Sequence, residues 1–187
     1  YKNVMLKANS AEKTYNGEKQ SVSGFKVFGY EDSGFTESLE GVTFAGIPSV
    51  GAEGTDVGKY LAKFDEKVKN IVDSSKKYIV VETENGELVI TGQSIVPGDP
   101  SSVNVSDPQN IVYDGEKHKW SPELKRADGT ALVEDKDYTV TYDTDDFVNV
   151  KTITVTIEGK GNYSGEIVKT YKITKRSVTL KSADLTK

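Results

Sequence analysis

Polar and apolar residues alternate through much of this chain. In "TITVTI" (152–157), Ile153, Val155 and Ile157 share one face and threonines occupy the other. A period of two predicts a half-buried β-strand. "EIVKTYKIT" (166–174) alternates in the same way through Ile167, Lys169, Tyr171 and Ile173. Between them, "GKGNYSG" (159–165) carries three Gly, one Asn and one Ser, which are turn residues. The pair therefore reads as a β-hairpin. "DYTVTYD" (137–143) and "VYDGEKHKW" (112–120) read as two more strands. "YIVVETENGELVIT" (78–91) reads as a second hairpin turning at Glu84-Asn85-Gly86, because both Asn and Gly tolerate positive φ. One stretch fits two periods. "GKYLAKFDEKVKNIVDSSKKY" (58–78) places Leu61, Phe64, Val68, Ile71 and Val72 at roughly helical spacing, yet it opens in alternation. The expectation is a strand to about residue 66 and a short helical turn near Val72–Lys77.

Two features divide the chain. "TGQSIVPGDPSSV" (91–103) holds two Pro, two Gly and three Ser. Proline cannot donate to a sheet ladder and pushes the preceding residue into extended geometry. A linker is therefore expected over 93–102. The second feature is a repeat. "TYNGEK" (14–19) returns as "VYDGEK" (112–117), and Tyr113 follows Tyr15 by 98 positions. The segments led by these turns close on "LVIT" (88–91) and "YKIT" (171–174). "VMLKANSAEK" (4–13) also reads against "VTLKSADLTK" (178–187), with Val4, Leu6 and Lys7 matching Val178, Leu180 and Lys181. The expected organisation is a module over 1–92, the linker, a module over 103–175, and the first strand of a truncated third repeat over 176–187. On this reading the chain is a piece of a longer protein.

Composition narrows the class. The 187 residues are 35% hydrophobic and 28% charged, but ten Tyr and six Phe argue against disorder. The net charge of −5 is spread along the chain without a basic stripe, so no nucleic-acid footprint is present. The lack of Cys removes disulfides, thiolate metal sites and cysteine nucleophiles. No apolar run reaches the length of a membrane span. The fold class expected is all-β, or mostly β. It would comprise two tandem small β-sandwich or β-grasp-like modules, the first with room for one short helix.

The first module resembles the MBG or "YDG" type repeats of bacterial cell-surface proteins. The matching stretches are "LKANSAEKTYNGEKQ", "GTDVGKY" (54–60) and "YIVVETENGELVIT". The second is similar to the related Ig-like repeats of such adhesin-like proteins, through "VYDGEKHKWSPEL", "DGTALVEDKDYTVTYD" and "TITVTIEGKGNYSGEIVKTYKIT". The resemblance implies an extracellular, wall-attached or secreted protein whose tandem all-β modules form a stalk. Its partners would be neighbouring repeats of the same chain, and it carries over no catalytic residue or cofactor. The first module departs from the pattern in its charged segment 63–77, which leaves an α+β, grasp-like arrangement open.

The candidate chemistry is sparse. Every element of the Tyr-(Asn/Asp)-Gly-Glu-Lys motif has a turn explanation: Gly17 and Gly115 supply positive φ, Asn16 or Asp114 bonds the local backbone, and Tyr15 and Tyr113 pack inward. "GKGNYSG" imitates a phosphate loop, but a β-branched strand pattern follows it where a helix would be needed. Glu134, Asp135, Asp137, Asp143, Asp145 and Asp146 form an acidic run without the glycine and distal Glu of an EF-hand loop, so solvated loops are expected and no metal is assigned. A Lys–Asn or Lys–Asp isopeptide bond would need a buried Lys, its partner and a carboxyl catalyst in one apolar pocket, which a sequence cannot show. His118 is the sole histidine and lacks a Gly-x-Ser-x-Gly elbow, so no triad is assigned. Trp120 is the sole tryptophan, and core or edge packing is its ordinary role. The expected function is a non-enzymatic spacer. The alternative is an adhesin module binding host glycan or protein, with Trp120 and His118 as the first suspected contacts.

Overall fold

The computed structural model describes residues 1–98 and 103–179. The chain is all-β, with one three-residue 3-10 turn at Glu66–Val68 as the helical element of the described residues. It divides into two compact units, Tyr1–Gln93 and Ser94–Lys187. Among the described residues no helix is long and apolar enough to cross a membrane, a statement that leaves β-barrels aside.

The first unit has nine strands: β1 (Lys2–Ala8), β2 (Ala11–Thr14), β3 (Gln20–Ser23), β4 (Phe25–Glu31), β5 (Gly34–Ser38), β6 (Gly51–Gly54), β7 (Gly58–Ala62), β8 (Tyr78–Glu84) and β9 (Gly86–Thr91). One sheet runs β5-β4-β1-β8, a second runs β2-β9-β7, and β3 pairs with β6. Both sheets contain a parallel step, β1 with β8 and β2 with β9. Val4, Leu6, Val27, Val80, Leu88 and Ile90 form the centre of the core.

The expected hairpin over 78–91 does not form. β8 pairs with β1, whereas β9 pairs with β2 and β7 in another sheet. The Asn85-Gly86 step is thus the point where a strand passes from one sheet to the next. Its parallel neighbour makes the same passage at Asn9-Ser10. The Glu87 N–H donates to Ser10 Oγ at 3.1 Å, and the Phe64 N–H donates to Asn85 Oδ1 at 3.1 Å. Gly86 therefore serves close approach between backbones, a role of glycine distinct from positive φ. A Cβ at Gly86 would stand 2.2 Å from Asn9 O.

Segment 58–78 also departs from expectation. The strand ends at Ala62, the helical turn lies at Glu66–Val68, and residues 72–77 form a loop around Asp73. Phe64 and Val68 join the core, so their helical spacing records two inward contacts of an irregular segment. Asp73 is 4% exposed and accepts the N–H groups of Ser75, Lys77 and Tyr78 as well as the Ser75 hydroxyl. Burial raises its pKa, but the Ser75 hydroxyl and the three amides outweigh that and hold the carboxyl at about 2. A depressed folded-state pKa contributes stability above the ordinary carboxylate range, and that stability is lost as pH falls toward 2. We expect the first unit to weaken between about pH 4 and 2. Asp73→Asn should remove that part of the acid slope and lower the melting temperature at neutral pH, since an amide presents N–H groups to donors. The Tyr78 amide resonance followed through an acid titration checks this, and an unchanged slope in the variant would refute it.

The second unit begins at the last residue of β10 (Gln93–Ser94). It contains β11 (Asn104–Val105), β12 (Ile111–Val112), β13 (Leu124–Lys125), β14 (Tyr138–Tyr142), β15 (Lys151–Gly159), β16 (Tyr163–Ser164) and β17 (Glu166–Thr174). The main sheet runs β12-β17-β15-β14, and β11 pairs with β13. β15 and β17 form the expected hairpin, with Ile157 opposite Ile167 and Ile153 opposite Tyr171. Ile153, Val155 and Ile157 are fully buried, as the alternation requires. The expected strand over 112–120 stops at Val112, because the Asp114-Gly115 turn takes the chain off the sheet edge. Ile95, inside the expected linker, is fully buried in the second unit, and its N–H donates to Ser164 O at 2.9 Å. The expected third-repeat strand over 176–187 falls largely outside the described residues.

Candidate functional site: the Asp114–Trp120 corner

The short strand β12 runs parallel to the end of β17, with Ile111 opposite Ile173 and Val112 opposite Thr174. Beyond it, the Tyr113 N–H donates to Thr174 O at 2.8 Å, and Thr174 Oγ1 donates to Ile111 O at 3.2 Å. Gly115 turns the chain at φ 88°, a left-handed conformation that favours glycine. Asp114 Oδ1 accepts the Glu116 N–H at 2.9 Å and lies 2.7 Å from His118 Nε2. The hydrogen bond from His118, aided by the Glu116 amide, holds the Asp114 carboxyl below its ordinary pKa.

From His118 onward the backbone is held by the hydroxyls of two buried tyrosines, Tyr138 and Tyr171, and the half-buried Tyr142. Tyr171 Oη donates to His118 O at 2.7 Å and accepts the Trp120 N–H at 3.4 Å. Tyr142 Oη donates to Trp120 O at 2.7 Å, and Tyr138 Oη donates to Pro122 O at 3.3 Å. The His118 N–H donates to Phe147 O at 2.8 Å. Burial raises the pKa of all three phenols, so each remains a neutral donor. A buried phenol needs a hydrogen-bond partner, and an irregular segment leaves carbonyls without a ladder. Each supplies what the other lacks. The sequence singles out His118 and Trp120 but passes over these tyrosines. Tyr at the inward positions of β14 and β17 was the signal that could have found them.

His118 and Trp120 thus sit two residues apart on a pinned backbone, both half-buried. Nearby, the Lys119 ammonium lies 4.4 Å from the Tyr142 ring centroid and 5.6 Å from that of Phe147. Those two rings meet edge to face at 5.2 Å. Cation–π contacts of this kind stabilise an exposed corner by about 0.5–1 kcal/mol each. Two open concavities of about 830 and 840 Å³ belong to the first unit, and neither includes His118 or Trp120.

The first unit repeats the corner. There the Tyr15 N–H donates to Thr91 O at 2.8 Å and Thr91 Oγ1 donates to Lys13 O at 3.3 Å. Gly17 has φ 82°, and Asn16 Oδ1 accepts the Glu18 N–H at 2.9 Å. The two differ at the tyrosine. Tyr15 packs against the core, whereas Tyr113 is 37% exposed, contrary to the expected inward packing of both. β12 has only two residues and runs along the sheet edge, so the ring following it meets solvent.

Three of the acidic carboxylates hold nearby backbone. Asp137 accepts the Val133 N–H and Asp143 the Thr154 N–H. Asp146 accepts the Asn149 side-chain amide and the Asn149 and Val148 backbone N–H groups, which with the nearby Lys151 ammonium hold its pKa far below the ordinary value. Among the described residues no group of three or more His, Asp or Glu side chains is set to hold a metal. Lys169 pairs with Asp107, but that carboxylate is 70% exposed, unlike the apolar pocket an isopeptide bond requires. Comparison with family models, curated proteins and solved structures finds no match to the chain in any of the three.

Proposed function

We propose that this chain is a non-enzymatic structural spacer, a stalk segment of a bacterial cell-surface protein built from tandem β-modules of the MBG/YDG and Ig-like types. The observation that carries this reading is the repeated corner. In each unit a threonine bonds through its hydroxyl to the strand before the Tyr-(Asn/Asp)-Gly turn and through its carbonyl to the N–H of the turn's tyrosine. Such reuse suits an array that extends by adding units, each with its own core. The extracellular, cell-surface placement rests on the sequence resemblance. Pulling the chain between its ends by single-molecule force spectroscopy tests the mechanical part. A spacer of two modules gives two separate unfolding events, each releasing roughly 300 Å of chain, as expected for about 90 residues. One cooperative event would overturn it.

The second reading is an adhesin module that binds host glycan or protein. It is favoured by one observation: Trp120 and His118, both half-buried, lie two residues apart on a backbone held by tyrosine hydroxyls. Titration with host glycans or matrix proteins, read by calorimetry, separates the two. Saturable binding that Trp120→Ala abolishes favours the adhesin, and an absence of binding heat favours the spacer.

A further inference from the structure

Two Asn-Gly pairs occur in the chain, Asn16-Gly17 and Asn85-Gly86; both asparagines are exposed, but Gly17 is half-buried in a turn and Gly86 is buried in a strand. Asn16 is exposed in a turn where Gly17 holds φ 82°. Asn16 Oδ1 accepts the Glu18 N–H at 2.9 Å, which closes a ring that contains both Asn16 Cγ and the Gly17 nitrogen. The same hydrogen bond meets the oxygen on which negative charge develops if that nitrogen attacks the side-chain carbon. Asn85 is held from outside its own turn. Its Oδ1 accepts the Phe64 N–H, and Gly86 is buried in β9 opposite Ala62 against the backbone of Asn9.

We propose that Asn16-Gly17 is a site of spontaneous deamidation, and that the fold protects Asn85-Gly86 from the same reaction. Gly17 N loses its proton to solvent base and forms a bond to Asn16 Cγ. The Cγ–Nδ2 bond breaks and ammonia leaves. Water then opens the resulting succinimide at either carbonyl to give an aspartyl or an isoaspartyl residue. One water enters, one ammonia departs, and no oxidant is required. The aspartyl product turns Tyr-Asn-Gly into the Tyr-Asp-Gly of the second unit. There Asp114 Oδ1 accepts the Glu116 N–H at the same 2.9 Å, so this product retains the turn and adds one negative charge. The isoaspartyl product lengthens the backbone and loses it.

Trypsin cuts after Lys13 and Lys19 and releases Thr14–Lys19, which isolates the reactive pair. The whole chain is incubated in mildly alkaline buffer, digested and analysed by mass spectrometry with fragmentation. A gain of one mass unit should accumulate in Thr14–Lys19 at least several-fold faster than at Asn85, and Gly17→Ala should slow it. In denaturant the two pairs should react alike, which shows that the fold makes the difference. No conversion in Thr14–Lys19, or an Asn85 that keeps pace in the folded chain, would overturn the proposal.

Discussion

Tyr171→Ala should destabilise the second unit by about 3–5 kcal/mol, the range for removing a large buried ring. The side chain is 1% exposed and faces Ile153 across the β15–β17 hairpin. Two contributions can be separated. Tyr171→Phe keeps the ring and removes the hydroxyl that joins His118 O and the Trp120 N–H. Leaving such groups without their partner costs about 1–3 kcal/mol. Because Trp120 is the only tryptophan, its fluorescence follows the second unit alone. Denaturant titration should show a lower midpoint for both variants. The Phe variant should also shift the native emission to the red, since the segment bearing Trp120 loosens before the core does. If Tyr171→Phe matches the parent in both midpoint and emission, the phenol does not hold this segment.

Gly86→Ala is the second large effect, and its cause is steric. Gly86 is not among the residues at positive φ, so alanine brings no backbone strain of that kind. A Cβ there would stand 2.2 Å from Asn9 O and 2.8 Å from Ala8 O, both backbone atoms of the neighbouring strand pair. That pair must separate where it passes between sheets. Overpacking of this type costs about 1–3 kcal/mol, and a β-branched residue more. Gly58→Ala is the control. It also lies in a strand, but its Cβ would meet the Tyr60 ring no closer than 3.6 Å, an ordinary contact. Thermal unfolding followed by tyrosine near-ultraviolet dichroism should show a clear drop for Gly86→Ala and little change for Gly58→Ala. Equal stability of the two variants would refute the close-approach role.

The same residue shows where reading a sequence stops. Asn85-Gly86 has the composition of a hairpin turn, and the flanking segments alternate as strands. Both strands form, but they belong to different sheets and take parallel partners 76 or 77 positions away, β1 for one and β2 for the other. Alternation reports which face of a strand is buried. It does not report which strand lies alongside, because the ladder is made by backbone groups common to all residues. Segment 58–78 failed in a related way. Phe64 and Val68 are inward contacts of an irregular chain, and Asp73, which organises the loop beyond them, looks like any surface carboxylate until its amide partners are in place.

What the sequence determined by itself is the all-β class, the β14, β15 and β17 strands with their hairpin, and the repeated turn. These depend on residues near one another in the chain: the period-two face of Ile153, Val155 and Ile157, and the local demands of Gly17 and Gly115 for positive φ. Only the tertiary structure decided the strand partners, the passage between sheets at Gly86, the burial of Ile95 in the second unit, and the tyrosine hydroxyls that hold His118 and Trp120. Each of these is a contact between distant segments, set by which surfaces bury each other and which polar groups must then find partners.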